Sequence, residues 1–149
     1  MAHVQTLPAE FLILSVSMWF AIGAVLSLIG GWWSLVRRFT ASERPTTRLK
    51  LTSARVGATN YNNCLYVAYA PEGIYLRVVF LFRFLHPPLL IPWSAVRWRG
   101  RKKPLLFSWD VLEIEGPSAT TIQIRLPVPQ EYLERLQDGA IGVEAGVSA

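Results

Sequence analysis

From Phe11 to Val36 the chain reads FLILSVSMWFAIGAVLSLIGGWWSLV, with no charged side chain between Glu10 and Arg37. About 20 predominantly apolar residues rising ~1.5 Å each suffice to cross the hydrocarbon core of a bilayer. Residues 11–36 are therefore expected to form a transmembrane helix, preceded by an amino-terminal segment, 1–10, on the far side. A cleaved leader fits less well. MAHVQTLPAE carries no basic residue, the apolar run is longer than such leaders use, and bulky Trp32 and Trp33 stand where a small-residue cleavage site would fall. Gly23, Ser27 and Gly31 recur every four residues, which places them on one helix face where a second helix can approach closely. Trp32 and Trp33, followed by Arg37 and Arg38, suit the interface between bilayer and water.

Charge divides the rest of the chain. Between Arg37 and Lys103 there are thirteen basic residues against two acidic ones, and from Pro104 onward two basic against seven acidic. A domain so divided presents two faces to different surroundings. Basic residues follow the apolar run and none precedes it, so the positive-inside rule puts everything after it in the cytoplasm and the amino terminus outside. The single cysteine, Cys64, reads as a structural thiol and gives no sign of an oxidising compartment.

After a basic linker, 37–47, the pattern changes to period two, the mark of β-strands. A first strand begins near Leu49, Gly57–Asn63 is rich in turn formers, and a second strand runs from about Cys64 to Tyr69. Pro71-Glu72-Gly73 turns the chain into a third, in which Ile74, Leu76, Val78, Phe80 and Phe82 alternate toward a core. The opposite face carries Val79, Leu81 and Leu85. This stretch is too short for a second span, and Arg83, His86 and Pro87-Pro88 interrupt it. Either the rest of the domain covers both faces, or Val79, Leu81 and Leu85 rest on lipid or a partner. LLIPWSAVRW reads as a fourth strand with Pro92 at an edge or bulge. Arg97, Arg99, Arg101, Lys102 and Lys103, flanked by Trp98, form a basic hairpin tip. Two further strands, from Leu105 and from Thr120, and a short helix bearing Tyr132, Leu133 and Leu136 complete a domain over 48–137, with a small-residue tail at 138–149.

The phrases PEGIYLRVVFLF and HPPLLIPWSAV, with Gly73–Leu76 and Ile91–Trp93 as the matching parts, resemble the pleckstrin-homology-like domains of small bacterial membrane-anchored proteins. The resemblance covers roughly Leu49 to Gln137. It implies a mainly β, pleckstrin-homology-like fold of six to seven antiparallel strands plus a C-terminal helix, behind a single transmembrane helix in a bacterial inner membrane.

Chemistry is sparse. His3 and His86 make no metal pair, no nucleophile stands at a legible spacing from a base, and Glu113 with Glu115 reads as a solvated strand face. No catalytic, cofactor or metal site is expected, and no nucleic-acid partner. The expected function is that of a non-catalytic accessory or scaffold subunit of a larger membrane complex, such as an energy-converting, photosynthetic, respiratory or transport assembly. Its membrane-protein partners would be met through the helix and the β domain. The alternative is a membrane-tethered reader of anionic lipid that uses Arg97 to Lys103.

Overall fold

The computed structural model describes residues 8–116 and 119–145. In it the uncharged run does not form one helix. Helix α1 spans Ala9–Ile29, and the chain then turns at Gly30-Gly31, where Gly31 adopts φ 83° in the left-handed region that favours glycine. Helix α2, Trp32–Phe39, leaves that turn and lies against the sheet, burying Trp32 and Leu35. The end of the run thus belongs to the β domain. Among the described residues no helix is long and apolar enough to cross a membrane. This overturns the expected transmembrane helix over 11–36, and with it the single-pass inner-membrane topology.

The body of the chain is a seven-stranded antiparallel sheet curled into a half-barrel. Its strands are β1 (Lys50–Val56), β2 (Thr59–Ala70), β3 (Gly73–Val78), β4 (Leu89–Pro92), β5 (Val96–Lys102), β6 (Trp109–Ile114) and β7 (Thr120–Ile124), in the order β4-β3-β2-β1-β7-β6-β5. Two meanders are joined where β1 pairs with β7, Ala54 opposite Ile124 and Val56 opposite Ile122. Inward residues from every strand make one core, including Val56, Leu65, Val67, Leu76, Leu112 and Ile122, each 0–1% exposed.

Several boundaries differ from the period-two reading. Gly57–Asn63 is not a loop: the turn is Gly57-Ala58 alone, and Tyr61 is buried within β2. Gly57 sits at φ 56° with its Cα side pressed on the carbonyl of Gly30, so the β1–β2 turn packs directly on the α1–α2 turn and leaves no room for a Cβ. LLIPWSAVRW is two strands, separated by a single 3-10 turn at Trp93–Ala95, and this supplies the seventh strand. Pro92 lies in β4, an edge strand, where its missing N–H costs no ladder hydrogen bond.

Helix α3, Gln130–Ala145, closes the far end. Tyr132 stacks on Trp93 at 4.6 Å between ring centres, and Tyr69 stacks behind Trp93 at 6.2 Å. The Trp93 indole N–H donates to the Ala70 carbonyl, and the Tyr69 hydroxyl donates to that of Leu126.

Candidate docking surface

Val78 ends β3, and after Val79 the six residues Phe80–Leu85 wind into a 3-10 helix, η1. The expected continuation of the strand through Phe80 and Phe82 therefore fails. Phe80 is 85% exposed and Leu81 66%, whereas Val79 tucks partly against the core. Leu85 ends η1, and its side chain lies outside the described residues, so only Val79 and Leu81 of the expected greasy face can be placed.

Helix α1 runs beside η1. Trp19 stacks on Phe82 at 5.3 Å between ring centres. Around α1 the side chains of Phe11, Leu12, Ile13, Leu14, Val16, Met18 and Ile22 are all more than half exposed. Consecutive positions point in different directions on a helix, so this apolar surface wraps the helix instead of forming one stripe. Together α1 and η1 present a continuous, exposed, apolar surface with few charges. Of the expected helix-packing residues, Gly23 and Ser27 lie in α1 with their side chains outside the described residues. Gly31 lies beyond the end of α1, with Thr120 and Gly57 as its neighbours.

A buried aromatic cluster sits beneath this surface. Trp32, expected among lipid headgroups, is 0% exposed. Its indole N–H donates to the Pro87 carbonyl at 3.2 Å, and its ring meets those of Tyr61 and His86 at 5.5 and 5.3 Å. Apolar packing inside the barrel outcompetes an interfacial position because α2 folds back at Gly31. Trp33 is only partly covered, Arg37 is exposed, and Arg38 donates to the Glu115 carbonyl and lies over the Phe39 ring at 4.9 Å.

His86, just after η1, is 4% exposed. Its Nδ1 faces the Phe82 carbonyl at 3.1 Å, and a carbonyl only accepts, so Nδ1 carries the proton. Nε2 then accepts from the Tyr61 hydroxyl at 3.0 Å. Burial pushes the His86 pKa down and that of Tyr61 up, so both stay neutral. Burial also raises the Cys64 thiol. The cluster ties η1, β2 and α2 together.

The basic tip is rearranged. Arg97 to Lys102 lie within β5 and not at its turn. Arg97 pairs with Glu115, and Arg99 with Glu113 at 2.5 Å, both on the outer face. The bond from Arg99 holds the Glu113 carboxyl below its usual range. A register shift between Trp98 and Gly100, with Gly100 at φ 116°, then turns the strand by one residue. Arg101 consequently faces Asp110 on the core side of β6, donating to both its carboxylate oxygens at 2.6 and 3.0 Å. Asp110 is fully buried and also accepts from the Val128 amide at 2.7 Å. The sequence pattern does not show this bond because it requires the bulge, at which only Gly100 hints. Trp98 packs partly against the core with its indole N–H buried and without a partner among the described residues. Lys102 and Lys103 alone of the five basic residues make no ion pair among the described residues.

Comparison with known proteins comes out empty. No family model, curated protein or solved structure matches the chain. Function therefore rests on the surfaces themselves. Among the described residues no group of three or more His, Cys, Asp or Glu side chains could hold a metal ion.

Proposed function

We propose that the chain is a non-catalytic accessory or scaffold module that docks on a larger protein assembly through α1 and η1. One observation carries this reading: an apolar helix whose side chains Phe11, Leu12, Ile13, Leu14, Val16, Met18 and Ile22 are more than half exposed, stacked through Trp19 and Phe82 on a second exposed apolar element. A helix apolar all round is stable only when other apolar surface covers it. The partner surface is accordingly built from apolar helices. The pleckstrin-homology-like reading of the β domain belongs to the same proposal, supported by seven antiparallel strands in two meanders and a helix after the last strand. The domain would act as the rigid body that presents the docking elements. The alternative, a lipid reader built on all of Arg97 to Lys103, has less support, because three of the five side chains are tied to carboxylates.

Native electrophoresis of gently extracted cells tests the proposal. The unmodified chain should migrate with a fixed, stoichiometric set of proteins, and Leu81→Asp should release it while leaving its melting temperature unchanged, since Leu81 contributes little to the core. A wild-type chain that always migrates as a lone monomer, or a Leu81→Asp chain that stays in the assembly, would refute it.

A further inference from the structure

The β5–β6 connection, Lys103 to Ser108, carries the most exposed apolar side chains of the described chain. Leu105 is 99% exposed and Leu106 89%, side by side at the end of a hairpin. Leu105 also adopts φ 57°, a left-handed conformation that costs a branched side chain energy and persists only where the surroundings impose it. Phe107 does not share this exposure fully, because the Arg125 guanidinium lies over its ring at 3.4 Å and fixes the base of the loop. Lys102 and Lys103 precede the leucines and are exposed. From Lys102 to Trp109 there is no acidic residue, and the next carboxylate, Asp110, is buried and already engaged by Arg101.

A tip with two exposed leucines and two ammonium groups that make no ion pair among the described residues fits a planar surface that is apolar inside and negative outside. We infer that this loop is a contact site for an anionic lipid bilayer, with Leu105 and Leu106 entering the headgroup layer and Lys102 and Lys103 meeting lipid phosphates. Charge decides the occupant: Lys102 and Lys103 stand just before the two exposed leucines, and no acidic residue lies between Lys102 and Trp109, a pairing of apolar and cationic groups that suits an anionic lipid surface. The inference is independent of the docking role of α1 and η1.

The test uses the full chain with an environment-sensitive fluorophore on Leu106→Cys in a Cys64→Ser background. Vesicles of phosphatidylcholine alone are compared with vesicles in which about a third of the lipid is phosphatidylglycerol. The probe should shift to the blue with the anionic vesicles only, and Lys102→Gln with Lys103→Gln should weaken the apparent affinity by about tenfold. Because α1 is itself apolar, flotation of unlabelled Leu105→Glu/Leu106→Glu provides the second readout: its anionic-vesicle binding should fall by at least about tenfold. The inference is overturned by a probe that stays unshifted on anionic vesicles or shifts equally on neutral ones. It is equally overturned if the double glutamate variant floats like wild type, or if the probe responds only to added cell protein.

Discussion

Replacing Trp32 by Ala should unfold the link between the helices and the barrel. Trp32 is 0% exposed, meets the rings of Tyr61 and His86, and satisfies the Pro87 carbonyl. Truncating a buried Trp costs about 3–5 kcal/mol in lost burial and residual cavity. The orphaned carbonyl adds about 1 kcal/mol unless water reaches it. At roughly 4 °C per kcal/mol for a chain of this size, the midpoint should fall by about 16–24 °C. Trp32→Phe, which keeps most of the ring and loses the N–H, should cost only about 1–2 kcal/mol. Urea denaturation followed by far-ultraviolet circular dichroism reads both, with the slope against denaturant unchanged if unfolding stays two-state. A Trp32→Ala chain within about 0.5 kcal/mol of wild type would mean that Trp32 is not in the core and that α2 does not belong to the β domain.

Asp110→Asn should cost about 2–3 kcal/mol by the same assay; a buried pair broken on one side costs about 3–5 kcal/mol, reduced because the Arg101 side chain is 36% exposed and can turn to water. Gly57→Ala should destabilise by about 1–3 kcal/mol, since a Cβ would meet the Gly30 carbonyl and the left-handed backbone disfavours any other residue; an unchanged midpoint would separate the two turns. His86 gives a pH signature. Its folded pKa lies below the unfolded value of ~6.5, so the unfolded chain binds the proton first, and stability is full above that value and falls as pH drops below it toward the folded pKa. His86→Gln should flatten the fall in stability below about pH 6.5, and a slope that survives the substitution would place its origin elsewhere.

The strands were largely legible because alternation of apolar and polar residues needs only a sheet with one wet face. Leu112, Ile114, Ile122 and Ile124 are buried as their alternation implies. The errors arise where tertiary contact overrides a local pattern. Residues 57–63 look like a loop by composition, yet pairing of β1 with β2 continues to Val56 and Thr59. Phe80 and Phe82 continue an alternating pattern, yet β3 stops at Val78 and the chain winds into η1, while β4 starts only at Leu89 opposite Leu76. The uncharged run is the larger lesson: hydropathy alone did not reveal that Gly31 turns the chain and that Trp32 and Leu35 have a core to enter. Leu105 and Leu106 were read as the start of a strand, and their exposure follows from β6 beginning only at Trp109.

Side-chain oxidation footprinting on the chain within its native extract, compared with the purified chain, tests the docking role most directly. Met18 and Phe80, 62% and 85% exposed in the isolated chain, report on α1 and η1 separately. Both should become protected in the extract while a residue exposed elsewhere on the sheet, such as Leu51 in β1, keeps its rate. Equal labelling of Met18 and Phe80 in the two preparations would contradict the account.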